Sequence, residues 1–306
     1  MNEILACDWG TSSFRLMHLG SNGEIIREIA TGDGIKNLSR PVMEEHLVSQ
    51  VEKLDAPAGT PVILCGMVGS TIGWQEAPYT DCPVSIGGLA QSLSAMPGTR
   101  ITAYCVPGVK LVVDSGAASG GADVMRGEET QVIGWLTQAS DEEKEKSTLC
   151  LPGTHSKWVH IQNGAICDFS TAFTGELFAL LSDHSVLVQG EQRVSEPAFF
   201  AGLQAAAASS GLIHQLFSAR SRSVLGVQSP SASASYLSGL LVGSEVAAMA
   251  SELPSGATVH LVCGDHLVGP YGKALEHFGL RFRHYPGSTY SAHGLWAIAK
   301  ASGLMC

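Results

Sequence analysis

Two stretches of the chain carry the same small set of groups that suits a phosphate. Leu5-Ala6-Cys7-Asp8-Trp9-Gly10-Thr11-Ser12-Ser13-Phe14-Arg15-Leu16 runs on to Asn22-Gly23. Leu149-Cys150-Leu151-Pro152-Gly153-Thr154-His155-Ser156-Lys157-Trp158-Val159 runs on to Asn163-Gly164. Each has an apolar strand, a Gly-Thr-x-Ser turn, a second strand and an Asn-Gly dipeptide, which tolerates positive φ and marks a hairpin. The turns offer backbone N–H groups and hydroxyls, from Gly10, Thr11 and Ser12 and from Gly153, Thr154 and Ser156, in the pattern that cradles a phosphate. Asp8 immediately precedes the first turn. A carboxylate there either holds Mg²⁺ beside the phosphates or bonds its own turn amides. Lys157 reads as a point charge on a phosphate or as a solvated hairpin lysine, and His155 as a phosphate neighbour or a local hydrogen-bonder. Two such turns suggest two half-domains gripping one polyphosphate, as in a nucleotide-dependent enzyme.

Other segments add to this. Asp123-Val124-Met125-Arg126-Gly127-Glu128-Glu129-Thr130-Gln131 puts two acids at a helix start, where the helix dipole favours them. They serve as helix caps or supply a general base for a substrate hydroxyl. The Arg126 fork matches an anionic substrate or the phosphoryl group. Gly264 follows an apolar strand and lets a flat base or ribose approach the backbone. Gly32-Asp33-Gly34-Ile35 and the run from Gly66 through Met67, Val68, Gly69, Trp74 and Tyr79 mix glycines, hydroxyls and aromatics, which suits a small polyhydroxylated ligand. Thr174-Gly175-Glu176 is either a helix cap or a site.

The elements that position these groups alternate along the chain. Strands are expected at 4–7, 14–19, 25–29, 61–65 and 101–106, with helices at 42–54 and 127–136. The charged segment 140–146 reads as a surface loop or domain junction. The pattern then starts over with strands at 148–151, 158–161, 165–169 and 259–262. Helices follow at 176–181, 197–209, 236–253, 270–278 and 291–301. Three strands, then helix, strand, helix, strand, appearing twice, is a duplicated α/β plan with a cleft between halves.

Composition narrows the function. The 306 residues allow two ordinary domains, and 15% charged residues with mildly positive mean hydropathy favour a buried core over disorder. A net charge of −10 argues against a nucleic-acid partner. Eight cysteines without C-x-x-C or zinc spacing read as reduced core thiols. Early acids Glu3 and Asp8 speak against a signal peptide, and Ser244-Glu245 interrupts the longest apolar run, so a cytoplasmic protein without membrane spans is expected.

The hairpins, the acidic helix and the late glycine resemble the sugar kinase/Hsp70/actin ATPase superfold. More narrowly, four blocks are similar to the 2-dehydro-3-deoxygalactonokinase family. They are Cys65 to Ser70 with Gly73-Trp74 and Ala77-Pro78-Tyr79, Val124 to Gln131, Pro152 to Trp158, and Phe173 to Leu177. The likeness runs from Asp8 to the C-terminal helix. It implies duplicated ribonuclease H-like α/β domains with a central nucleotide cleft. Residues 1–125 would form the sugar-acid domain, with the helix near 291–306 packing back on it, and 126–306 the nucleotide domain. It implies ATP- and Mg²⁺-dependent phosphorylation of 2-dehydro-3-deoxy-D-galactonate at its 6-hydroxyl, in galactonate breakdown.

On that resemblance Asp8 places the metal. Gly10, Thr11, Ser12, Gly153, Thr154, His155, Ser156, Lys157 and Gly264 hold ATP, and Gly34, Met67, Val68, Gly69, Trp74, Tyr79 and Arg126 hold the acid. The family pattern admits Asn at position 123, so Glu128, then Glu129, is favoured as base, partly by analogy with the Ser-Gly-x-Glu-Glu-Ala helix of exopolyphosphatases. Asp265 departs from the small or hydroxyl residue expected after Gly264. Three other readings stay open: a kinase for another sugar acid, an exopolyphosphatase-like phosphatase, which would want a basic channel, and a non-enzymatic nucleotide sensor. The alanine-rich stretch 202–209 is compatible with a homodimer.

Overall fold

A computed structural model describes residues 3–96, 100–112, 121–208 and 211–305. The strands and helices open with β1 (Ile4–Trp9), β2 (Phe14–Leu19), β3 (Ile25–Thr31), α1 (Arg40–Lys53), β4 (Val62–Cys65), β5 (Tyr79–Asp81), α2 (Ile86–Gln91) and β6 (Ser94–Ala95). They continue with β7 (Ala103–Cys105), β8 (Gly108–Val112), β9 (Ala122–Met125), α3 (Glu128–Gln138), α4 (Asp141–Glu145), β10 (Lys146–Leu151), β11 (Ser156–Gln162) and β12 (Ala165–Ala172). The rest are α5 (Thr174–His184), α6 (Glu196–Ala206), α7 (Leu212–Leu216), α8 (Ser218–Val224), α9 (Ser233–Ala250), β13 (Thr258–Cys263), α10 (Asp265–His277), β14 (Arg281–Pro286) and α11 (Gly287–Ala301).

The repeat read from sequence is present as two sheets of like order, β3-β2-β1-β4-β7-β6 and β12-β11-β10-β13-β14. In the first, β1 pairs antiparallel with β2 and parallel with β4. In the second, β10 pairs parallel with β13. β1 is a near-continuous apolar run, and β10 is apolar and buried from Leu149 to Leu151 after a polar start, as strands covered on both faces require there. The glycine after the third strand repeats too. A side-chain carbon at Gly34 would stand 2.4 Å from the Ser12 backbone, and one at Gly175 would stand 2.2 Å from the Gly153 carbonyl. Each phosphate-type turn is thus backed by a bare glycine.

Two compact units follow. The first groups Met1–Ser147, Val159–Ser170 and Pro286–Cys306, and the second Thr148–Trp158 and Thr171–Tyr285. This differs from a division at 125/126, because α3 packs in the first unit against α11, which also lies on β1 and α2. The first unit's core gathers Leu5, Trp9, Phe14, Leu47, Leu64 and Val68. The α3–α11 crossing is backbone on backbone. A Cβ at Gly134 would lie 2.0 Å from the Tyr290 carbonyl oxygen, and one at Gly294 1.8 Å from that of Thr130.

The first unit also holds a small sheet, β5-β8-β9, that the sequence reading missed. Its strands are short, and β5 joins β8 in parallel from a distant part of the chain, so no local pattern announces the sheet. Residues 140–146, expected as a surface loop or domain junction, contain α4, opened by a capping box between Ser140 and Glu143, and lie just before the boundary of the first unit at Ser147.

In the second unit α6 crosses α9 just as tightly, with a Cβ at Gly202 standing 2.2 Å from the Tyr236 carbonyl oxygen. Gly202 and Leu203 are therefore buried inside the unit, while Gln204, Ala207 and Ala208 of the same stretch are exposed. Ser209 lies outside the described residues. Among the described residues no helix is long and apolar enough to cross a membrane.

The crossing predicts an asymmetry between glycines. Gly294→Val should cost about 3 kcal/mol or more, since carbonyl backbone cannot yield as a side chain does. Gly269→Ala, on α10 with open space around it, should be neutral or stabilising by about 0.5–1 kcal/mol. Urea unfolding of both variants checks this, and equal costs would contradict it.

Candidate functional site

In the first unit, β1 ends at Asp8 and Trp9, and the chain turns through Gly10, Thr11 and Ser12. The Gly10 amide is used within the turn, donating to the Ser13 carbonyl at 2.9 Å, while Thr11 and Ser12 are exposed. Ile35 and Lys36 amides donate back to the Gly10 and Thr11 carbonyls, fixing the turn from behind.

Asp8 is half-buried, and its Oδ2 accepts from the Ser291 hydroxyl at 2.8 Å. Burial raises its pKa, while the Ser291 hydrogen bond, the Arg15 charge and the Cys65 thiol pull it back. Gly66, at φ +89°, lies against this strand end. A Cβ there would stand 2.8 Å from the Trp9 carbonyl oxygen and 3.6 Å from Asp8 Oδ1. Gly127 approaches Gly66 in turn, with its own would-be Cβ 3.3 Å from the Gly66 α-carbon. The Asp8 strand end, the Gly66 turn and the start of α3 therefore converge.

At that helix start the two acids are unlike. Glu128 is half-buried, and its Oε2 accepts from the Arg126 amide at 3.1 Å. Glu129 is fully buried, accepting from the Gly127 amide at 2.7 Å and the Thr130 hydroxyl at 3.1 Å. Burial, with the Glu128 charge second, pushes its pKa up to about 8. A group that is buried and largely protonated near neutrality is a poor proton acceptor for a ligand.

Arg126 is buried, donates from Nη2 to the Ala77 carbonyl at 2.8 Å and stacks 4.2 Å from the Tyr79 ring centroid. Its Nε and Nη1 are buried with no hydrogen-bond partner among the described residues. Gly69 and Cys105 pack beside it. The Met67–Gly69 turn is held by main-chain bonds, Trp74 to the Val68 carbonyl and Ala77 to the Gly69 carbonyl. The Val68 side chain belongs to the core, so this residue has only its backbone to offer a ligand.

In the second unit Gly153, Thr154 and His155 are exposed. His155 Nε2 lies 2.6 Å from Glu176 Oε2 and its ring stacks on Phe173. Ser156 is fully buried, and its hydroxyl donates to Glu245 at 2.6 Å, which leaves its backbone for any phosphate. Lys157 is no solvated lysine. It is buried, and its Nζ donates to the Thr171 hydroxyl at 2.8 Å. Gly264 is exposed at the N-cap of α10, and Phe173 rather than Thr174 stands at the N-cap of α5, without a side-chain cap.

Three residues escaped the sequence reading. Ser291 donates to Asp8, and Gln131 donates to Ser291, through contacts between distant segments. Glu245 looked like an interruption of an apolar helix, yet it accepts from Ser156, Trp158 and Tyr271.

A metal needs a fit to these groups. Among the described residues no cluster of three or more His, Cys, Asp or Glu could hold one. Mg²⁺ commonly binds through one or two carboxylates, with phosphate and water filling the rest. Asp8 beside an exposed turn fits that pattern.

The model of the 2-keto-3-deoxy-galactonokinase family matches residues 8–298. The chain belongs to this family. It is 33% identical to the 2-dehydro-3-deoxygalactonokinase of Escherichia coli, covering 98% of each chain; the two names denote one activity. A solved structure from Sinorhizobium meliloti, provisionally assigned as a 2-dehydro-3-deoxygalactonokinase, superposes with a TM-score of 0.88 at 32% identity over 97% of this chain and 98% of that one. The activator of 2-hydroxyisocaproyl-CoA dehydratase from Clostridium difficile, with bound ADPNP, shares the fold alone, at TM-score 0.51 and 11% identity over 98% and 96%. That fold is the sugar kinase/Hsp70/actin ATPase fold, and family membership makes the chain a sugar-acid kinase of galactonate catabolism.

Glu129 carries a pH prediction for this galactonokinase relative. Its carboxyl ordinarily ionises near 4.5 and is held near 8 when folded. Below both values it is protonated in either state and costs nothing. As pH rises between them, only the unfolded chain releases the proton, so stability falls. Glu129→Gln removes that loss and should gain on the wild type by on the order of a few kcal/mol between pH 5 and 8. Urea melts at both pH values measure it; parallel pH dependence in the two proteins would show that Glu129 holds no raised pKa.

Proposed function

We propose that the chain transfers the γ-phosphoryl group of ATP to the 6-hydroxyl of 2-dehydro-3-deoxy-D-galactonate, with Mg²⁺ as the accompanying metal. The observation that carries this reading is the convergence in one unit of an exposed Gly-Thr-Ser turn, a half-buried Asp8 and the acidic start of α3. Family membership supports a sugar acid as acceptor. ATP as donor is supported by the kinase family and by the fold shared with a protein holding ADPNP.

Each group then has a task. Thr11 and Ser12, with the Gly153 to Ser156 backbone, His155 and Lys157, serve the phosphates. Gly264 leaves room for the nucleoside at the start of α10. Asp8 holds the metal, which supplies charge neutralisation at the phosphates. Glu128 accepts the proton of the 6-hydroxyl, because it is the accessible acid of the pair. Its neighbour Glu129 fixes the Gly127 amide and so the entry to α3. Gly34, Met67, Gly69, Trp74 and Tyr79 surround the acid, and the Val68 backbone completes that turn. Arg126 takes the substrate carboxylate, since a buried guanidinium with open donors is stabilised by a matching anion. Its donors are shielded, so the Tyr79 side of the turn yields as the acid enters.

A coupled ADP-release assay tests the function. Turnover is expected with 2-dehydro-3-deoxygalactonate and not with 2-dehydro-3-deoxygluconate, galactonate or no acceptor. Release without acceptor would instead favour a phosphatase. Glu128→Gln should lower kcat about a hundredfold or more with little change in ATP binding, and near-normal turnover would remove Glu128 as base. Arg126→Ala should raise KM for the sugar acid at least about tenfold with KM for ATP nearly constant. The reverse pattern would move Arg126 to the phosphate side.

A further inference from the structure

Ser291 lies on α11, far in sequence from every motif above, and is 1% exposed. Its hydroxyl donates to Asp8 Oδ2 at 2.8 Å and accepts from Gln131 Nε2 at 3.3 Å. Gln131 stands on α3, one helical turn beyond Glu128. A single buried hydroxyl therefore links the carboxylate at the end of β1 to the helix whose start carries the acids. The link exists because α3 and α11 touch through Gly134 and Gly294, which leave no room for side chains at the crossing.

A carboxylate on a strand end has rotational freedom that a metal site cannot afford. Outer hydrogen bonds remove it, and their loss typically weakens a metal site without unfolding the protein. We propose that Ser291 is a positioning residue for phosphoryl transfer: its hydroxyl fixes the orientation of Asp8, and Gln131 ties that orientation to α3. The proposal rests on Asp8 serving the metal, as read above.

The test compares wild type with Ser291→Ala, Gln131→Leu and Asp8→Asn, all as full chains. Ser291→Ala should raise the Mg²⁺ concentration for half-maximal turnover about tenfold, lower kcat and leave KM for the sugar acid unchanged. Gln131→Leu should shift the same quantity in the same direction by less. Calorimetric titration of ADP with and without Mg²⁺ supplies a readout free of turnover. The gain in ADP affinity on adding Mg²⁺ should shrink about tenfold in Ser291→Ala, with the melting temperature held. A merely structural serine would instead lower the melting temperature and raise KM for the acid, leaving the Mg²⁺ dependence alone, and that pattern overturns the proposal. If Asp8→Asn itself keeps wild-type Mg²⁺ dependence, the reading of Asp8 fails and the proposal falls with it. If Asp8→Asn loses that dependence while Ser291→Ala keeps it, only the positioning role is wrong.

Discussion

Gly134 of α3 meets the Tyr290 carbonyl of α11, and Gly294 of α11 meets the Thr130 carbonyl of α3, so closely that neither position admits a side chain. That contact places the C-terminal helix beside the first strand of the chain. It brings Ser291 to Asp8 and Gln131 to Ser291. It also holds the start of α3 where Gly127 can approach Gly66, and thereby Glu128 where a ligand at the Asp8 strand end would meet it. A wider crossing would separate the two carboxylates that the proposed chemistry needs together. The same economy appears in the second unit, where Gly202 and Gly239 let α6 and α9 touch.

The charges built on this frame are few and unlike in environment. Asp8 and Glu128 are half-buried and so able to meet a metal or a hydroxyl. Glu129 is sealed in, and burial raises its pKa enough that it holds amides rather than protons from a ligand. Two adjacent acids thus take different roles from environment alone. Arg126 is the counterpart. Burying a guanidinium with Nε and Nη1 unpartnered among the described residues is costly, and an anion that reached it would offset that cost. In the second unit Glu245 solves a similar problem internally, since Ser156, Trp158 and Tyr271 all donate to it. That engagement withdraws the Ser156 hydroxyl from phosphate duty and steadies the strand that follows the turn.

Much of this was legible in the sequence because it is local. The paired hairpins, the central apolar strands and the acids at the α3 start are set by neighbours in the chain, and Pro41 marks the first turn of α1 as expected. What was not legible depends on distant partners. The β5-β8-β9 sheet joins short strands, with β5, which ends at Asp81, paired parallel to β8, which begins only at Gly108. The charged run at 140–146 read as a loop or domain junction, and the helix in it was missed because its capping box precedes only one turn. Val68 looked like a ligand contact in a glycine-rich turn, yet its side chain faces the core. Ser291 gave no signal, since a serine in a small-residue helix reads the same whether or not a carboxylate waits across a crossing. Lys157 read two ways, on a phosphate or in solvent, and its burial with Thr171 on the next strand removes the second.

The central claim is that the sugar acid lies along the wall formed by the Asp8 strand end, the Gly66 to Tyr79 turn and the start of α3. A crystal structure of the protein with 2-dehydro-3-deoxygalactonate bound tests it most directly. The account predicts the 6-hydroxyl within hydrogen-bond reach of Glu128, roughly 2.6–3.2 Å, and a carboxylate oxygen on Arg126. An acid bound with its 6-hydroxyl away from Glu128 and Arg126 still unpartnered would contradict it.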